Sequence, residues 1–131
     1  MRSIKIKETE YSYQAGYSND PGMNVLAEWL TDDVSSSVQR WERWIKDDSE
    51  DMQSTSSNAT WLDKDGDNII LGSIMDLNQY GSSSIPEQNM ISIPKENVLV
   101  LIERWGEFCN HGFEEVIIIE ENGVYRMEEV Q

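Results

Sequence analysis

The sequence has few of the residues that catalytic and metal sites use most. Its 131 residues include one cysteine, Cys109, and one histidine, His111. A lone cysteine cannot form an internal disulfide, and one histidine with one cysteine cannot complete the ligand set of a catalytic zinc site. The Gly-x-Gly-x-x-Gly, phosphate-loop and Gly-x-Ser-x-Gly motifs are missing as well. The sequence therefore predicts a protein without metal, cofactor or enzymatic activity.

Basic residues are also scarce. Ten Lys and Arg stand against 25 Asp and Glu, which gives a net charge of -15 at pH 7. Such a charge repels the phosphates of nucleic acids and the anionic surface of membranes. We therefore expect a protein that binds neither, and whose partner is basic.

Long apolar runs are absent. No stretch of the sequence approaches the roughly 18 consecutive apolar residues that a membrane-spanning helix needs. The first residues do not form a charged region followed by an apolar run and a small-residue cleavage site, as a secretory signal would. Together with the single cysteine, these features predict a cytoplasmic protein.

What the sequence does contain is a set of strand and turn signals. Alternating apolar and polar residues over 3–7 predict a first strand. A hairpin is expected from 59 to 75 with its turn at 63–66, and a closing hairpin from 116 to 130 around an Asn-Gly turn. The Ser/Thr/Asn run 54–58 predicts a loop.

Apolar residues at helical spacing predict the helices. One or two helical turns are expected near 25–30, an amphipathic helix from about 34 to 47, and a longer one from Pro94 to His111. Most strands follow one another through hairpin-type connections. We therefore expect an α+β fold over residues 1–131, a single domain in which a mainly antiparallel sheet has helices packed on one face.

Two groups that resemble known sites are better explained as structural. The segment Asp63–Asn68 begins like a calcium loop, but its glycine is fourth rather than sixth, and the twelfth position is Ile74 instead of a glutamate. An exposed turn is the simpler interpretation. Cys109 and His111 lie at a helix C-terminus, where the partial negative charge disfavours a thiolate, so we expect structural roles for both.

Five tryptophans in a chain of this size are the more informative feature. Trp41 and Trp105 fall on core stripes. Trp44 lies at the margin of its stripe among charged residues, and Trp61 precedes the acidic turn. A partly exposed aromatic side chain surrounded by acids is typical of a surface that binds a basic partner, although packing at the boundary of the core explains these positions equally well.

An acidic stretch from 47 to 67 surrounds the two ambiguous tryptophans in the sequence. We predict a partner-binding surface there, with carboxylates for attraction and tryptophans as anchors: Glu42, Trp44, Asp47, Asp48, Asp51, Trp61, Asp63, Asp65 and Asp67. The competing surface is the hairpin from Glu114 to Glu129, which is equally acidic but has no tryptophan.

The segments 91–108 (ISIPKENVLVLIERWGEF) and 114–120 (EEVIIIE) carry a family resemblance. A strand, an Ile-Pro helix start, a long helix with a central tryptophan and a closing hairpin resemble the bacterial immunity proteins of polymorphic and contact-dependent growth-inhibition toxin systems. The resemblance spans about residues 59–130. It implies a cytoplasmic, non-enzymatic immunity-protein-like domain that binds one cognate toxin domain and neutralises it.

The charge leads to a compatible expectation. Proteins that act on nucleic acid are basic where substrate binds, so an acidic inhibitor complements a toxin that is a nuclease. The main alternative is an acidic DNA-mimic inhibitor of the anti-restriction type, which would bind several DNA-binding enzymes rather than one. A small acidic enzyme is a third alternative that no residue set in the sequence supports.

Overall fold

The computed structural model describes residues 1–49 and 53–131. It confirms an α+β fold with antiparallel sheets. The strands are β1 (Arg2–Glu8), β2 (Tyr13–Ala15), β3 (Ser54–Ser56), β4 (Thr60–Asp65), β5 (Asn68–Ser73), β6 (Ile91–Pro94), β7 (Glu115–Glu121) and β8 (Val124–Glu129). The α-helices are α1 (Pro21–Asp32), α2 (Val38–Lys46), α3 (Ile74–Tyr80) and α4 (Lys95–His111), with short 3-10 turns at Val34–Ser36 and Glu87–Asn89.

The strands form two four-stranded sheets rather than the one sheet expected. Sheet A has the order β2-β1-β7-β8, and sheet B has the order β3-β4-β5-β6. Apolar side chains from both sheets and from α1, α2 and α4 form one core cluster. Trp29, Trp41 and Trp105 are among its largest fully buried side chains.

Sheet A is built as its sequence pattern predicts. Ile4 pairs with Ile118 and Ile6 pairs with Val116, and all four side chains are buried in the core. The closing hairpin turns through Asn122 and Gly123, whose φ angles are 53° and 82°. Two successive positive φ angles are what a two-residue hairpin turn of this twist requires, and Asn-Gly adopts them at low cost.

Sheet B differs from the sequence prediction at both ends of its central hairpin. Residues 54–56 are not in a loop but form the edge strand β3, which pairs with β4. The strand β5 ends at Ser73, whose hydroxyl accepts a hydrogen bond from the Met75 N–H at 3.2 Å and caps α3. The residues from Ile74 onward are therefore helical, where a strand to Met75 was predicted.

The first helix begins at the turn signal of its sequence. Asp20 is the N-cap of α1 and accepts a hydrogen bond from the Met23 N–H at 3.2 Å, and Pro21 occupies the first helical position. The helix is 12 residues long, longer than the one or two turns predicted. The next helix, α2, ends next to Asp47 as predicted, but it begins at Val38 rather than near residue 34, because Val34–Ser36 form a separate 3-10 turn. As predicted, α4 buries Trp105. None of the helices in the described part of the chain is long and apolar enough to cross a membrane.

One sheet edge is bonded to a helix. On the free edge of β8, the Tyr125 N–H donates to Asn97 Oδ1 at 3.0 Å, and the Met127 carbonyl accepts from Arg104 Nε at 3.3 Å. Asn97 and Arg104 are seven residues apart on α4, so both project from the same helix face. By contrast, α1 contacts β4, β5 and β6 of sheet B as well as β1 and β2 of sheet A, so it packs against both sheets.

Candidate functional site

The alternation of side chains along β4 divides the predicted surface between two faces of sheet B. Trp61, Asp63 and Asp65 lie on the outer face, away from the core, whereas Leu62 and Lys64 lie on the inner face. Trp44 and Asp47 lie instead near the inner face, where Lys64 contacts both of them. The structure therefore brings together two groups, and it does not join them into one patch.

The outer face of sheet B contains an open groove. Two adjoining hollows, of about 620 and 810 Å³, share Ile70 of β5 and Met90 as lining residues. The smaller hollow is lined by apolar side chains of Trp61 and Leu77 and by the polar residues Ser54, Ser56 and Asp63. The larger hollow extends past Asp65 and Ser92 to the start of α1.

Trp61 forms a wall of the smaller hollow because a glycine faces it. Trp61 pairs with Gly72 on β5, and a Cβ placed on Gly72 would stand 2.5 Å from the indole carbon Cε2. The missing side chain lets the indole ring cover the neighbouring strand, and Trp61 stays half-buried. The ring thereby presents a partly exposed aromatic surface to the groove.

Most of the charged residues that line the groove are acidic. Asp63, Asp65, Asp20 and Glu87 contribute carboxylates, and Arg2 is the one basic residue among them. Arg2 makes two hydrogen bonds to Asp20, from Nε at 2.6 Å and from Nη2 at 2.9 Å. Those hydrogen bonds hold the pKa of the Asp20 carboxyl below its usual value. Among the described residues, no ion pair joins Asp63 or Asp65 to a basic side chain, and both carboxylates line the groove.

Trp44 lies in the other group, and the structure corrects the expectation of a partly exposed ring. Its side chain is 6% exposed and packs edge-on against Trp41, with ring centroids 6.0 Å apart. Lys64 reaches across from β4 and places its Nζ 4.6 Å from the centroid of the Trp44 ring. The ring is thus enclosed by the core on one side and by a lysine on the other, and its surface is not free to contact a partner.

The carboxylates near Trp44 are close to lysines. Lys64 Nζ donates a hydrogen bond to the backbone carbonyl of Asp47, and Lys95 Nζ donates one to Asp48 Oδ1 at 2.7 Å. The bond from Lys95 lowers the pKa of Asp48. Burial lowers the pKa of Lys64. The two lysines offset the negative charge of this region, so it is a weaker attractor of a basic partner than the groove.

The remaining predicted residues are separate from the groove. Glu42 is half-buried on α2, and Asp67 is exposed in the β4–β5 turn, where its carbonyl accepts from the Lys95 N–H at 2.8 Å. Asp51 lies outside the described residues. Of the nine predicted positions, the groove therefore includes Trp61, Asp63 and Asp65.

Sequence reasoning missed the apolar half of the groove. Ile70 lies on the outer face of β5, Leu77 is on α3, and Met90 precedes β6. A signal for Ile70 was present, because the unbroken run Ile69–Leu71 places an apolar side chain on both faces of the strand. Leu77 and Met90 are brought to the groove only by the tertiary arrangement of α3 and the segment before β6.

Cys109 and His111 lie at the C-terminal end of α4. Cys109 is half-buried, and its burial raises the pKa of the thiol, while His111 is exposed. Among the described residues, no three His, Cys, Asp or Glu side chains gather closely enough to hold a metal ion.

In comparisons with known proteins, no family model, curated protein or solved structure matches this chain.

Proposed function

We propose that the protein is a non-enzymatic, cytoplasmic immunity protein that binds one basic toxin domain, a nuclease, and neutralises it through the groove on the outer face of sheet B. The observation that carries this proposal is the combination of an apolar centre, including Trp61 and Ile70, with the carboxylates of Asp63 and Asp65. Protein interfaces combine a desolvated aromatic or apolar centre with a polar rim in the same way.

The charge of the chain supports a basic partner. A net charge of -15 attracts a positively charged domain over distances comparable to the Debye length. Complementary potentials raise association rates toward about 10⁸ to 10⁹ M⁻¹s⁻¹ at low salt. Fast capture suits an inhibitor that must bind a toxin before it acts.

The apolar lining favours binding of one cognate toxin over DNA mimicry. A DNA mimic needs carboxylates spaced like phosphates, and an apolar hollow lined by tryptophan, isoleucine, leucine and methionine does not contribute to that resemblance. The groove has such a hollow of about 620 Å³. A partner side chain with an apolar stem and a cationic end, such as lysine or arginine, complements both parts of the groove.

The test is protection by co-expression. The probe is the carboxy-terminal domain encoded by the gene immediately upstream, expressed in a host cell with and without this protein. We expect growth arrest by the domain alone, growth with both, and a 1:1 complex by size-exclusion chromatography with light scattering. Asp63→Lys combined with Asp65→Lys should abolish protection, whereas the matched pair Glu121→Lys and Glu128→Lys should not.

Several results would contradict the proposal. An upstream domain that does not arrest growth, or arrest that this protein does not relieve, would overturn it. Inhibition of many toxin molecules by one molecule of this protein would point to an enzyme. Equally tight binding to several unrelated DNA-binding enzymes would favour the DNA-mimic alternative.

A further inference from the structure

The edge strand β3 has backbone groups that face away from the sheet. The Lys64 N–H donates to the Gln53 carbonyl at 2.8 Å, and the Ser57 N–H donates to the Thr60 carbonyl at 2.8 Å. In an antiparallel pair, bonded positions recur at every second residue, so Gln53, Thr55 and Ser57 turn their backbone groups toward β4. The N–H and C=O groups of Ser54 and Ser56 therefore point outward.

Those outward groups are open. Ser54 and Ser56 are both exposed. Within residues 1–49 and 53–131, no hydrogen bond joins their backbone groups to a neighbouring element. This differs from β8, whose edge is bonded to Asn97 and Arg104. Unpaired backbone groups at an exposed strand edge can accept an added strand from another chain.

The two sides of β3 differ in charge. On the outer side, Ser54 and Ser56 stand opposite Asp63 and Trp61 and line the groove. On the inner side, Thr55 shares a smaller hollow of about 280 Å³ with α2 residues, including Arg40 and Arg43, both of which are exposed. A strand placed beside β3 would send alternate side chains to an acidic side and to a basic side.

We propose that β3 accepts an extended segment of the partner as a fifth strand of sheet B, with lysine or arginine at every second position facing the groove and uncharged residues between them. This inference rests on the proposed function, because it names how the basic partner enters the same groove. A second copy of this chain is the less favoured occupant, since two molecules that each carry a net charge of -15 repel each other.

The experiment uses two blocked eight-residue peptides as probes. One alternates lysine and threonine, and the other has the same composition in the order Lys-Lys-Thr-Thr, repeated. Only the alternating peptide places all its lysines on one face of a strand. We expect it to bind about tenfold more tightly than its isomer in fluorescence titrations. We also expect the Ser54 and Ser56 amide protons, but not that of Thr55, to become protected from exchange in the complex.

Variants of β3 supply the second arm. Ser56→Pro removes an outward N–H at an edge position and should eliminate the preference for the alternating peptide, while the matched Ser56→Ala should retain it. Exchange protection in the unmodified protein decides the question even if Ser56→Pro folds poorly.

The outcomes separate the two proposals. Equal binding of both peptides, without protection at Ser54 and Ser56, would overturn strand addition and leave the acidic groove in place. If neither peptide binds at low salt, both proposals are contradicted. Self-association at the β3 edge, detected by sedimentation, would replace the partner strand with a second copy.

Discussion

Trp61 and Gly72 face each other across β4 and β5, and the indole ring occupies the space where a side chain of residue 72 would lie. A Cβ at position 72 would be 2.5 Å from one ring carbon and 2.6 Å from the indole nitrogen. Because the neighbouring atoms belong to a large, rigid ring, the tryptophan has to move if the glycine is replaced.

Gly72→Ala should therefore destabilise the fold by about 1 to 3 kcal/mol, as expected for overpacking. The cost should fall substantially in a Trp61→Ala background, where the added methyl group has room, and urea denaturation of the four proteins would measure this coupling. Gly106→Ala is the matched control. Its Cβ would meet Val38 at 3.4 Å, an ordinary contact, and alanine favours the interior of α4. An additive result for Gly72 and Trp61 would contradict the packing described above.

Trp105 should be the largest single contributor to stability on α4. Its side chain is fully buried, and its ring centroid lies 5.0 Å from that of Tyr13 and 5.6 Å from that of Phe113. Trp105→Ala should cost about 3 to 5 kcal/mol of unfolding free energy. Val100→Ala on the exposed side of the same helix should change it by less than about 0.5 kcal/mol. Similar melting temperatures for the two variants would refute the burial of Trp105.

The Arg2–Asp20 pair should make stability depend on acid pH. The hydrogen bonds from Arg2 lower the pKa of Asp20, so the pair contributes fully above the unfolded pKa of about 4 and is lost as the pH falls through the lowered folded value. Asp20→Asn removes the charge but retains an N-cap acceptor. It should cost about 0.5 to 1 kcal/mol at pH 7 and much less at pH 2, measured by urea denaturation. An equal cost at both pH values would exclude the ion pair as the cause.

The groove carboxylates should act mainly on the rate of association. Asp63→Asn with Asp65→Asn should slow binding of the toxin domain and flatten the salt dependence of that rate, since rim charges steer encounter more than they hold the complex. Glu121→Gln with Glu128→Gln is the control on the closing hairpin, where both glutamates already pair with Arg126, at 3.3 and 2.9 Å. Stopped-flow measurements over a salt series would reveal which surface attracts. If Glu121→Gln with Glu128→Gln slows association more than the groove variants do, the binding surface is the closing hairpin and not the groove.

Cys109 and His111 should be dispensable for protection. Cys109 is half-buried beside Tyr13, whose pKa is raised to about 12 by burial and by a hydrogen bond with the thiol, and His111 is exposed at the end of α4. Cys109→Ser should lower stability by about 1 kcal/mol through the polar group it buries, and His111→Ala should have little effect. Growth protection by both variants is the readout. Loss of protection in a well-folded His111→Ala protein would assign function to this helix end.

The elements that were predicted correctly have strong local signals. The α4 stripe repeats over 17 residues and starts after a proline, and the Asn-Gly turn fixes the closing hairpin. The elements that were missed have weak ones. Ser54–Ser56 are polar and form a strand because their backbone pairs with β4. After Ile69–Leu71, apolar residues resume at Ile74 and Met75, directly after Gly72 and Ser73, so the change from strand to α3 is hidden in the sequence.

The candidate site divides in the same way. The period of two along β4 places Trp61, Asp63 and Asp65 on one face, so their proximity could have been inferred from the strand alone. The burial of Trp44 could not, since it depends on Lys64 crossing from a different element to cover the ring. Long-range contacts of this kind leave no period in the sequence.

The bonds from α4 to β8 also limit the size of any assembly that grows through sheet A. Edge-to-edge growth into a fibre requires two open edges on each molecule, one to receive a neighbour and one to offer the next position. At the edge of sheet A formed by β8, the side chains of Asn97 and Arg104 already bond the backbone groups of Tyr125 and Met127. A series of copies joined edge to edge through sheet A therefore ends at β8.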